Sequence, residues 1–221
     1  MNKQVENKDL FNCENEYLAP LFNLTYPWQI LPKIKEHILE IISKGALGFT
    51  KYAENIYVGK NVKISPFATI EPPAIIGDNC EIRPGAYIRG NVITGNNCVI
   101  GNSTELKNCI LLNNVQVPHY NYVGDSILGN FAHMGAGSIC SNLKSDNKNV
   151  VIRGNEEYQT NLRKVGAFLA DHADIGCNCV LNPGTIVGKN TSIYPLNSVR
   201  GVIPSNSIYK EKNSIVDKLK I

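Results

Sequence analysis

Four histidines, at positions 37, 119, 133 and 172, carry the side chains best suited to proton transfer near neutral pH. His37 falls within a helical pattern and reads as plain surface. His119 differs in its neighbours, Pro118-His119-Tyr120-Asn121-Tyr122-Val123-Gly124-Asp125. A neutral imidazole there can accept a proton, for instance from an amine adding to a thioester. Asp125 or a backbone carbonyl could orient the ring, and a backbone N–H could serve the developing oxyanion. Taken alone, this histidine reads more often as a hydrogen-bonded corner than as a base. Arg83, Lys107 and Lys148 would each suit an anionic substrate, although a single basic residue is more often a solvated charge.

The elements that must position these groups count in sixes. Val58, Ile64, Ile70, Ile76, Ile82, Ile88, Thr94, Ile100, Leu106 and Leu112 recur six apart. A second, mostly small column follows four places later: Val62, Ala68, Ala74, Cys80, Ala86, Val92, Cys98, Thr104 and Ile110. Neither a helical period nor strict alternation generates this pattern. It predicts an all-β solenoid, a parallel β-helix of hexapeptide repeats in which large aliphatics fill the interior and small residues sit at the corners. Spacings of five at 112–117 and 123–128 predict two shortened turns flanking His119. Irregular turns on a repetitive scaffold are places where side chains are aimed. The count fails over a polar stretch and resumes at Leu169, Ile175, Leu181, Val187, Ile193 and Val199, with Pro204 ending it.

The chain therefore divides into an arm and helical cap at 1–57, a β-helix at 58–204 with an extruded loop at 143–164, and a tail at 205–221. Leu31, Ile34, Ile38, Ile41 and Ile42 share one helical face, with Pro32 suited to the start and Gly45 to the stop. This helix is expected to cover an exposed end of the solenoid. Residues 1–27 read as a loose arm with one helical turn, and 213–221 as a short C-terminal helix.

Composition bounds the function. The 221 residues are 43% hydrophobic and 19% charged, as in an ordinary soluble protein, and the net charge of +3 is too small to argue for nucleic acid. The seven cysteines form no CxxC pair, and several fall in the small inward column. There is no apolar signal segment in 1–8 and no run long enough for a membrane span, so no membrane is expected and the cytoplasm is the default compartment.

Three ordered segments carry a resemblance: Ile100-Gly101-Asn102-Ser103-Thr104-Glu105-Leu106-Lys107, then His119 to Asp125, then Gly135-Ala136-Gly137-Ser138-Ile139 with Asn142. Together they resemble the acetyltransferase domain of the bifunctional glucosamine-1-phosphate acetyltransferase / N-acetylglucosamine-1-phosphate uridylyltransferase. The resemblance spans about residues 58–204. It implies a left-handed β-helix, against the usual right-handed crossover rule, assembled as a homotrimer. It also implies acetyl-CoA as cosubstrate and an amino-sugar phosphate or nucleotide-linked amino sugar as acceptor. Position by position it makes His119 the general base. Arg83, Lys107, Tyr122, Asn142 and Lys148 become contacts to the sugar phosphate, and Ala136, Ala167 and Pro183 fall at positions lining the acetyl-CoA cleft.

The chain departs from that pattern in several places. His133 stands where the family has an asparagine, Leu143-Lys144-Ser145 replaces a Tyr-Asp-Gly, and Pro183 replaces a small residue. About one extra hexad separates Arg83 from Gly101. These departures motivate an alternative, a module of the same fold that binds sugar phosphate without catalysis. A metal is not expected, because hexapeptide-repeat proteins that hold zinc carry two histidines five apart and this chain has none. Uridylyltransferase chemistry is not expected either, since no G-x-G-T-R-type loop occurs and residues 1–57 are too few for a nucleotide-binding domain.

Overall fold

The computed structural model describes residues 4–212 and 214–218. Each coil lays down three short strands, each paired in parallel with the strand one coil earlier. Thr69 lies opposite Tyr87, Ala74 opposite Val92 and Glu81 opposite Val99, all 18 residues apart, so three hexads close a three-sided prism. The first face runs from Ile56–Val58 to Val202–Ile203, the second from Lys63–Ile64 to Ser207–Glu211, and the third from Thr69–Glu71 to Ser198–Val199.

The period-six aliphatics do fill the interior: Ile76, Ile82, Ile88, Ile100, Leu106, Val117, Val123 and their counterparts form one buried cluster with Cys80, Cys98, Cys109, Cys140 and Cys179. Burial pushes the Cys140 thiol up to about 12, so it serves as a compact apolar group. Interior threonines satisfy their hydroxyls on backbone carbonyls, Thr104 on Val117 at 2.9 Å and Thr191 on Pro204 at 2.7 Å.

Corners explain the recurrent asparagines. Asn61, Asn79, Asn97, Asn114, Asn190 and Asn206 hold left-handed backbone at one edge, which Asn tolerates better than most residues. At the same edge Asp78, Asn96, Asn113, Asn130 and Asp171 form a ladder. In it, the side-chain oxygens of Asn96, Asn113, Asn130 and Asp171 each accept the backbone N–H of the residue one coil earlier.

Two shortened turns exist, but the first falls earlier than the five-residue spacing predicts. Cys109 lies opposite Val92 and Ser126 opposite Cys109, each 17 residues apart. The lost residues come from corners now held by Asn108 and Asp125 alone, at φ 47° and 48°. Cys109 and Leu111 therefore point inward, while Ile110 and Leu112 point outward.

The helix Ile34–Ser43 does not cover an end. It lies along the flank, packed on Val92–Thr94 and Glu105–Leu111. The reason is the outward residue of each first-face strand: Ile75, Ile93, Ile110, Ile127, Phe168 and Ile186 form an apolar stripe that a solvated face could not carry. The arm is not loose either. Leu10 and Leu18 are fully buried against this stripe, and Trp28 stacks on Tyr26 at 4.5 Å. His37 is likewise engaged, its Nε2 lying 2.6 Å from the Tyr17 carbonyl oxygen.

Hairpins manage the ends instead. Thr50–Ala53 pairs antiparallel with Ile56–Val58, and Ser214–Asp217 with Ser207–Glu211. Where a C-terminal helix is expected over 213–221, the described residues are thus strand, and residues 213 and 219–221 lie outside the description. The second face also continues past Pro204, since Ser207–Glu211 pairs in parallel with Ser192–Ile193. The extruded loop forms the hairpin Val151–Arg153 and Glu157–Gln159, and Val150 and Ile152 fold back into the flank cluster. Among the described residues no helix is long and apolar enough to cross a membrane.

Candidate functional site

His119 ends the strand Gln116–His119, at the edge where the second face turns into the third. Two neighbours fix the backbone there. Gly101 lies beneath Pro118, where a Cβ would overlap the Pro118 carbonyl, so the strand carrying His119 can sit close on the preceding coil. Asn121, 2% exposed, accepts the His119 N–H through Oδ1 at 3.1 Å and donates Nδ2 to Gly135 O at 2.8 Å. Tyr120 takes the left-handed turn between them at φ 51°. The result is an exposed imidazole on a braced corner. Among the described residues no side chain is recorded as a partner of its ring.

Ala136 sits one coil further along the same edge: the His119 carbonyl accepts the Gly137 N–H at 3.1 Å, and the Ala136 carbonyl accepts that of Asn178 at 2.8 Å. Arg83 also belongs to this edge but two coils back, its N–H on Ile100 and its guanidinium spanning both oxygens of Glu81 at 3.1 and 3.3 Å.

The third face begins directly after the His119 corner, and it gathers three of the expected substrate residues. Lys107 is set one coil before Gly124, and Gly124 leaves open the space into which the Tyr122 ring leans, since a Cβ there would overlap the Tyr122 hydroxyl. Asn142 Nδ2 donates to the Tyr122 hydroxyl at 3.1 Å and to Asp125 Oδ2 at 2.6 Å. Lys107 Nζ lies 3.6 Å from the same carboxylate oxygen. Burial, then the charges of Asp125 and Glu105, push the Tyr122 phenol above its ordinary value, so it stays protonated and can donate at neutral pH. Asp125 does not orient His119. It occupies the far edge of the third face, and its partners are Asn108, Asn142 and Lys107.

Sequence reasoning missed Arg89. Leu106 pairs with Ile88, which sets Arg89 in the same outward column as Lys107, one coil earlier. Arg89 Nη1 lies 2.7 Å from Glu105 Oε1, and its guanidinium sits 5.9 Å above the Tyr87 ring centroid. Its separation of 18 residues from Lys107, one full coil, is the signal that would have found it.

The remaining expected residues lie apart from this group. Lys148 is exposed in the inserted loop, its N–H bonded to Asp146 Oδ1 at 3.1 Å. Ala167 is fully buried, its methyl inside the prism and its N–H on Ser126 Oγ at 2.9 Å. Pro183 is half-buried beside Lys144, Arg153 and Arg200 under the loop hairpin. Within one chain Ala136 and Pro183 thus flank the third face on opposite edges. His133, on the second face, holds Asp174 through Nδ1 at 2.8 Å, and that hydrogen bond keeps the Asp174 carboxyl below its usual range. A cleft of about 650 Å³ opens near the C-terminal end between Arg153, Asn182, Arg200, Tyr209, Lys212 and Ile215.

A family model described as the GMPPB C-terminal domain matches residues 70–160. The bifunctional protein GlmU of Methanococcus maripaludis strain C7 is 37% identical over 226 residues, which covers 99% of this chain and 54% of that protein. GlmU of Methanocaldococcus jannaschii is 35% identical over 122 residues, 55% of this chain and 30% of that protein. Among solved structures, the polySia-specific acetyltransferase NeuO aligns with 73% of this chain and 83% of its own at 13% identity and a TM-score of 0.47. The chain spans about half the length of the M. maripaludis relative and less of the other. It is a hexapeptide-repeat solenoid related in sequence, along its whole length, to about half of a bifunctional GlmU protein.

Proposed function

We propose that this chain transfers an acetyl group from acetyl-CoA to the amine of an amino-sugar phosphate or a nucleotide-linked amino sugar. The observation that carries the reading is the polar group on the third face, Lys107, Tyr122 and Asn142, beginning three residues after the exposed His119. Lys107 and Arg89 would hold the phosphate, since ammonium and guanidinium groups suit its charge. Tyr122 and Asn142 would fix the sugar.

His119 would then take one proton from the amine as its nitrogen attacks the thioester carbonyl. The C–N bond forms, the tetrahedral oxyanion is held by a backbone N–H, and collapse breaks the C–S bond. His119 returns its proton to the departing thiolate, so the ring ends neutral and no metal is needed. Because the positions assigned to the acetyl-CoA cleft flank opposite edges of one chain, the complete site is proposed to form in a groove between subunits of a homotrimer.

A second reading is favoured by one feature, the His119 ring, for which no partner that could orient it is recorded within the chain. In that reading the chain binds the sugar phosphate without catalysis. Acetyl-CoA consumption measured against a panel of hexosamine phosphates and nucleotide amino sugars separates the two. Release of CoA together with an N-acetylated product supports the transferase, whereas saturable binding without release supports the binding module.

A further inference from the structure

We propose that Asp125 is a positioning residue of the acceptor site: from a corner one residue shorter than the standard coil, it fixes Lys107, Asn142 and, through Asn142, the Tyr122 hydroxyl as one array. The inference rests on the reading of the third face given above and assigns the device that orders it. Asp125 is 5% exposed, and a buried carboxylate is costly unless its oxygens are filled by donors. Here they are filled. Oδ1 accepts Asn108 Nδ2 at 2.9 Å, Oδ2 accepts Asn142 Nδ2 at 2.6 Å, and Lys107 Nζ stands 3.6 Å away.

The turn itself does not require an acid. Asn108 makes the same shortened, left-handed corner one coil earlier, at φ 47° against 48° for Asp125, and Asn91 turns the coil before that. What an asparagine at 125 could not do is dictate direction. An ionised carboxylate only accepts, so both neighbouring amides must present Nδ2 to it. Asn142 Nδ2 is then shared with the Tyr122 oxygen, which leaves the Tyr122 O–H free to donate away from the network and Asn142 Oδ1 free to accept. Lys107, half-buried beside the carboxylate, is drawn toward the same point. The irregularity that interrupts the count of six thus becomes a mould for three ligand-facing groups with their donors and acceptors already ordered, which lowers the cost of binding.

The test is a double-mutant cycle in the full chain with acetyl-CoA and glucosamine 1-phosphate. Asp125→Asn is expected to raise KM for the sugar phosphate about tenfold or more and to change kcat by less than about threefold. In a Lys107→Ala background the same substitution should raise KM by no more than about twofold, because the array it orders is already broken. Equal factors in both backgrounds, or an unchanged KM, would overturn the proposal. If Asp125→Asn does not fold, the wild-type structure with glucosamine 1-phosphate decides: a phosphate held by both Lys107 and Tyr122 supports the role, and one touching neither ends it. A wild type that binds without turnover defeats only the transferase reading, and the cycle is then read as Kd by calorimetry. A wild type that does neither defeats both.

Discussion

Replacing Phe168 with Ala tests where the N-terminal segment docks. Phe168 is the outward residue of Ala167–Leu169, fully buried, with Trp28 at a ring-centroid distance of 6.5 Å and the flank cluster around it. Truncating a buried phenylalanine costs about 3–5 kcal/mol from lost transfer energy and the cavity left behind. For a chain of this length that lowers the midpoint of thermal unfolding by ~10 °C. Leu169→Ala provides the control, since Leu169 is equally buried but faces the prism interior. Both substitutions should lower stability in denaturant titrations by comparable amounts, roughly 2–5 kcal/mol. Only Phe168→Ala should also accelerate backbone hydrogen exchange across residues 4–44, because it alone removes the surface that holds them. Equal exchange in the two variants, or a loss below about 1 kcal/mol for Phe168→Ala, would refute a docked flank and favour a helix seated elsewhere.

Two further predictions concern charge. Arg89→Ala should raise KM for a phosphorylated acceptor about tenfold, the order expected for one charged hydrogen bond, while Arg83→Ala should change it less than about twofold in the same steady-state assay, because Arg83 is committed to Glu81 on another edge. The Asp174 carboxyl is held below its ordinary 3.8 by the hydrogen bond from His133, so its stabilisation is complete above that pH and is lost as pH falls through the lower, folded value. His133→Ala removes the partner, and the midpoint of acid unfolding followed by circular dichroism should move to higher pH; an unchanged midpoint would contradict the pairing.

Much of the scaffold was legible because a hexad has one geometric solution. Ile76, Ile82, Ile88 and Ile100 lie inside wherever the count of six is unbroken. The shortened turn was misplaced for a local reason: Cys109 and Ile110 both fit the small column, and Leu111 and Leu112 both fit the large one, so only the left-handed backbone of Asn108 distinguishes the two registers. The flank was readable but unread. Ile75, Ile93, Ile110, Ile127 and Ile186 are apolar at the outward position where the second face carries Glu81, Gln116, His133 and Asp174, and that contrast identifies the face that must be covered.

At the site, motif order brought Lys107, Tyr122 and Asn142 to one network. The choice of Arg83 followed a local Arg-Pro-Gly, whereas the fold stacks residues by whole coils and selects Arg89. The link first drawn from Asp125 to His119 failed because six residues of chain carry the carboxylate across a whole side of the prism.

The central claim, acetyl transfer with His119 as base, is tested most directly by single-turnover acetylation of glucosamine 1-phosphate by wild type and His119→Ala, with ligand binding measured in parallel. The account predicts N-acetylated product from wild type, at least ~10²-fold slower transfer in the variant, and unchanged affinity for the sugar phosphate. Transfer at the wild-type rate by His119→Ala would contradict it.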